Sequence, residues 1–111
     1  MQLTKLADQP IATDITLCEG LFVKTAVFQA GTYIPQHSHD MEHLSVIATG
    51  SVRVWQDGKL MGDFMAPAGI VIKARAKHLF LALERATVLC VHRLDENGSL
   101  PIHEIHTLDV A

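Results

Sequence analysis

The chain has 111 residues, of which 49% are hydrophobic and 19% charged, with a formal net charge of −3. That length holds one core and not two. The apolar fraction excludes a disordered tail, and the lack of clustered Lys and Arg excludes a nucleic-acid surface.

Residues 1–19 show no clean period, and Pro10 with the Thr13-Asp14 pair breaks any long helix. They read as an arm with one or two short strands, suited to lie against a partner subunit. No apolar core follows the first charge, so residues 1–8 do not read as an export signal. No run approaches the roughly 18 apolar residues of a membrane span. Cys18 and Cys90 stand in no CxxC spacing. Two such thiols fit a reducing, cytoplasmic setting, although a disulfide between them stays open.

From Gly20 the pattern turns to strands. Residues 21–30 are apolar at both parities, which predicts a strand covered on both sides. Ala30-Gly31-Thr32 reads as a turn, and 33–39 as an extended segment in which Pro35 favours an edge or a bulge. Strands follow at 44–49 and 51–56. Asp57-Gly58 is a strong hairpin signal, because a two-residue type I′ turn needs positive φ at both positions. The chain returns over 59–65, turns at Pro67-Ala68-Gly69, and gives further strands at 70–72, 78–83 and 87–94. Lys73, Arg75 and Lys77 alternate, which predicts one solvated strand face. The tail, 95–111, reads as a strand or one helical turn packed on the barrel or on a partner. Short strands with turns between them and no amphipathic helix predict an all-β sandwich or small barrel.

Three of the seven histidines, His37, His39 and His43, fall within seven residues. In an extended strand, residues i and i+2 share a face, so His37 and His39 present their imidazoles together. Neutral imidazole is a good donor for Zn, Fe, Ni or Cu. His43 follows where a turn brings the next strand alongside, and His78 opens a later strand that antiparallel pairing can bring near. His92 shares parity with Cys90 and reads as a core histidine beside a buried thiol, with a second ligand pair, or a nucleophile and its base, as the alternatives. His103 and His106 read as exposed. Tyr33 and Phe80 share parity with the histidines of their strands, which makes them candidate pocket walls.

The spacing Gly31-x5-His37-x-His39-x3-His43-x6-Gly50 resembles the first motif of the cupin family, with His43 where the family has glutamate. Glu42 is one residue early, and a one-residue shift reverses the face of a strand, so His43 is favoured over Glu42. The second cupin motif is thinner. Its histidine matches His78, while its Pro, Gly and Asn positions hold Lys73, Arg75 and Ala82. The resemblance covers residues 20–94. It implies a double-stranded β-helix (jelly-roll) barrel with little or no helix, holding a divalent transition metal (Fe, Ni, Zn, Mn or Cu) through His37, His39, His43 and His78. It further implies a metal-dependent dioxygenase, lyase or isomerase acting on a small organic molecule. The alternative is a non-catalytic module that binds a metal or ligand. A homodimer is expected, by the prevalence of two-fold assemblies, and neither a nucleic acid nor a membrane is expected as a partner.

Overall fold

The computed structural model describes residues 4–5, 11–39, 41–94 and 105–107, and the side-chain surroundings of 11–33 and 41–94. Among them are eleven strands and no helix: β1 (Thr4–Lys5), β2 (Ala12–Cys18), β3 (Leu21–Phe28), β4 (Thr32–His39), β5 (His43–Thr49), β6 (Ser51–Gln56), β7 (Lys59–Met65), β8 (Ala68–Ile72), β9 (His78–Ala82), β10 (Ala86–Arg93) and β11 (Ile105–Thr107). They form two sheets. One runs β1-β4-β9-β6-β7, with β11 also beside β4; the other runs β2-β3-β10-β5-β8. β1 pairs in parallel with the start of β4, and β11 pairs antiparallel with its end. No helix of the described residues is long and apolar enough to cross a membrane.

The two sheets close on one apolar core, in a jelly-roll arrangement. Val52, Val54, Phe80 and Ala82 come from the first sheet, and Ala26, Phe28, Ile47, Ile70, Ile72, Ala86 and Val88 from the second. The period-two alternation read in the sequence supplies this directly, since every second residue of a strand turns to the same face. Burial of these side chains is the main favourable term holding the sheets together.

Two turns fix the register. Asp57 and Gly58 have φ of 50° and 79°, the positive pair that the hairpin between β6 and β7 requires. Gly50, at φ 75°, joins β5 to β6, and a Cβ there would fall on the Arg85 carbonyl oxygen. Only glycine fits.

Three expectations change. Lys73, Arg75 and Lys77 are not on a strand: β8 ends at Ile72, Arg75 has φ 62°, and all three side chains are exposed on the loop before β9. Positive φ reverses the chain locally, so their alternation carries no strand face. The outer parity of β3 is not fully covered either. Val23, Thr25 and Val27 are half-buried and Leu21 is exposed. Tyr33 is the third, and the reason is a bulge described below. The arm contributes β2, the outer strand of the second sheet, paired along its whole length with β3. The tail contributes β11, a strand and not a helical turn. His103 lies outside the described residues.

Candidate functional site

His43 and His78 are each the first residue of a strand, β5 and β9, on opposing sheets. Both point into the sandwich: His43 is 6% exposed and His78 2%, and their ring centroids lie 5.4 Å apart. Burying imidazole is costly unless its nitrogens are engaged. His78 Nδ1 lies 3.2 Å from the carbonyl oxygen of Ala76. A carbonyl only accepts, so in this contact Nδ1 is the donor.

The floor and walls follow from register. In β6, Gln56 is the Cα partner of His78, and Val54 that of Phe80. Gln56 Nε2 donates to the Val71 carbonyl at 3.3 Å, a bond that crosses from one sheet to the other. In β8, Ile72 is the partner of His43 and is fully buried. Phe80 lies edge-on to His78, centroids 5.9 Å apart. Below the histidines the interior is therefore lined by buried apolar side chains.

β4 passes on the other side of β9, and His37 is the Cα partner of His78. His39 follows two residues on, opposite Ile105 of β11. The side chains of 34–39 and 105–107 lie outside the described surroundings, so the first-motif pair and His106 are placed by register alone. Between Ile34 and His37 the β4–β9 ladder shifts, a bulge that brackets Pro35 as its missing N–H requires. Because of it, parity does not carry across the segment. Tyr33 pairs with Leu81, and Leu81 with Arg53, whereas Ile34 pairs with Phe80 and Phe80 with Val54. Phe80 is thus an interior wall beside His78, and Tyr33 stands in the opposite row, buried but outside the core cluster.

Glu42 is exposed, its Oε1 3.3 Å from Lys73 Nζ, on the outside next to buried His43. Among the described residues every Asp and Glu is exposed, and no three His, Cys, Asp or Glu side chains form a group able to hold an ion. A metal centre would therefore need donors beyond the described side chains, where His37, His39, Asp40, His103 and His106 lie.

His92, half-buried on β10, joins the histidine cluster through its ring. Its ring stacks on that of His43, centroids 4.5 Å apart and planes 20° apart, and Phe22 closes its far side at 6.1 Å. Its parity with Cys90 was legible; its neighbour across the strands was not. Cys90 itself lies one interior row deeper, opposite Ser45, with Sγ 4.0 Å from Ser45 Oγ. Burial pushes its thiol pKa up, against smaller opposing effects of the Ser45 hydrogen bond and the Lys24 charge. Both cysteines are free, so no disulfide joins them.

No family model matches the sequence, and no curated protein matches it. Solved structures do. A cupin superfamily protein from Desulfitobacterium hafniense aligns with a TM-score of 0.67 at 14% identity, covering 76% of this chain and 77% of the other. A DMSP lyase from Ruegeria pomeroyi gives 0.69 at 19% identity, covering 85% of this chain and 51% of the lyase. A variant of salicylate 1,2-dioxygenase from Pseudoaminobacter salicylatoxidans gives 0.68 at 12% identity, over 78% of this chain and 27% of the enzyme. At these identities the likeness is one of fold. The chain thus folds as a jelly roll like that of cupin superfamily proteins.

Proposed function

We propose that the protein is a metal-binding small cupin that acts on a small organic molecule, as a dioxygenase or a related lyase or isomerase. The observation that carries this is the meeting of His43 and His78 from opposing sheets, with rings 5.4 Å apart and His37 as the backbone partner of His78. The donor set fits a divalent transition metal, Fe, Ni, Zn, Mn or Cu: imidazoles are neutral nitrogen ligands, and hard ions such as Mg or Ca prefer oxygen. His37, His39, His43 and His78 would hold it. When bound, such an ion supplies Lewis acidity and, if redox-active, single-electron chemistry.

The chain's own residues do the rest. The Ala76 carbonyl accepts from His78 Nδ1 and orients the ring. Phe80 and Ile72 exclude water from beneath the histidines, and Gln56 ties the two sheets together there. The filled core limits the substrate to a small molecule at the histidine end. With every described carboxylate on the outside, an imidazole is the group available there to hold or move a proton. That no described carboxylate lies inside supports the second reading, a module that binds without reacting.

Elemental analysis of protein purified without a histidine tag, with oxygen uptake against small acids and diketones, tests the proposal. Bound transition metal and turnover are expected. Metal without turnover favours the binding module. Absence of metal, with His37→Ala and His39→Ala leaving ligand binding untouched, sinks both.

A second copy of the chain suits the outside of the second sheet. One register row there reads Thr16, Val23, Val91, Leu44, Val71 across all five strands, and Leu44 and Val71 are 40% and 50% exposed. Apolar rows of this kind mark association surfaces. Light scattering that gives twice the chain mass, reduced to one by Leu44→Lys, is the expected result.

A further inference from the structure

His92 enters the site from β10, outside both histidine motifs. Its register partner on β3 is Phe22, and Val91 beside it pairs with Leu44, next to His43. Four ring contacts then run in file across the interior, Phe22 to His92 at 6.1 Å, His92 to His43 at 4.5 Å, His43 to His78 at 5.4 Å and His78 to Phe80 at 5.9 Å. The His92–His43 contact differs from the others. Its planes are only 20° apart, against 54° to 66° elsewhere in the file.

The torsion about an imidazole's Cβ–Cγ bond is broad and weakly preferred on its own. A ring nitrogen, however, donates along the ring plane, so the direction of its lone pair is set by that torsion. A second ring lying flat at 4.5 Å blocks rotation of His43, because turning it would drive an edge into the face of His92. Phe22 backs His92 from behind.

We infer that His92 is a positioning residue: its flat face, and not its nitrogens, fixes the plane of the His43 ring and aims the His43 lone pair into the site. The consequence for metal affinity rests on the reading of His43 as a ligand, while the fixed ring does not.

Two substitutions separate face from nitrogen. His92→Phe keeps a flat ring and removes both nitrogens; His92→Gln keeps a polar amide and removes the ring, and His92→Ala replaces it if the glutamine variant does not fold. The readouts are the His43 ring resonances in nitrogen-15 NMR of metal-free protein, the zinc affinity by competition with a chromogenic chelator, and the melting temperature as a control for folding. Wild type and His92→Phe are expected to give one sharp His43 ring state and matching zinc affinity. The ring-free variant is expected to give averaged or multiple His43 states and about tenfold weaker zinc binding, the scale of lost outer-sphere support. Equal loss in the phenylalanine and ring-free variants overturns the inference in favour of His92 as a ligand, and so does an unchanged His43 ring in the ring-free variant. If wild type binds no zinc, the metal reading fails by itself, and the NMR comparison still decides for or against His92.

Discussion

Asp57 and Lys77 are joined twice: Asp57 N donates to the Lys77 carbonyl at 2.6 Å, and Lys77 N donates to Asp57 Oδ1 at 2.9 Å. The tip of the β6–β7 hairpin thereby clamps the residue that immediately precedes His78. Asp57→Ala removes the side-chain acceptor and the tolerance of positive φ, and is expected to cost about 1–2 kcal/mol in urea unfolding. Asp57→Asn keeps an oxygen acceptor and should lose less than half of that. Equal losses in the two variants would count against the clamp.

Two glycines with similar φ give a test of space against conformation. Gly58, at φ 79°, has nothing within 4 Å of an added Cβ, so alanine there meets only the left-handed strain of about 1–2 kcal/mol. Gly50, at φ 75°, meets the same strain and, in addition, the Arg85 carbonyl and the Ala86 Cα at 2.9 Å. Gly50→Ala should cost at least about 3 kcal/mol or prevent folding. Thermal melts of both variants read the difference.

The cysteines differ in reactivity. Cys18 is exposed, whereas burial raises the Cys90 pKa and so reduces its thiolate fraction at any given pH. At pH 8 the native protein should release about one equivalent of thionitrobenzoate quickly, with a second only in denaturant. Rapid release of two equivalents would contradict the packing around Ser45.

Neighbours in sequence should behave oppositely toward zinc. His43→Ala is expected to weaken zinc binding by about 100-fold, on the scale of losing one of four donors. Glu42→Gln should leave affinity within about twofold, and its exposed pair with Lys73 should contribute less than about 1 kcal/mol to stability. Calorimetric titration of both variants distinguishes the two residues. A strong effect at Glu42 with none at His43 would reverse the assignment.

Much of this architecture was legible because it is written in local rules. Asp57-Gly58 specified its turn through a backbone requirement, and the core residues followed from alternation. The segment from Gly31 to Gly50 was recognisable by spacing. Parity counting failed where it assumes an unbroken ladder. The bulge between Ile34 and His37 takes Tyr33 out of the Phe80 row, and nothing but Pro35 hinted at it. Lys73, Arg75 and Lys77 mimicked a strand because charge alternation looks the same on a loop. The ring neighbours of His92 were not legible for a different reason. Which strand lies beside β10 is decided by pairings distant in the chain, and a sequence read locally does not contain them.

The pairing of Leu21 with Arg93 and Phe28 with Ala86 joins segments far apart in the chain. β10 adds to the second sheet only after nearly the whole chain is available, and long-range closures of this kind put β-sandwiches among the slow folders, in milliseconds to seconds. His43 and His78 belong to different sheets, so they meet only where the two sheets close on one another. Zinc acquisition at the proposed site, which spans both sheets, would then wait for their closure during refolding. In that sense the ion would be a clock for the barrel.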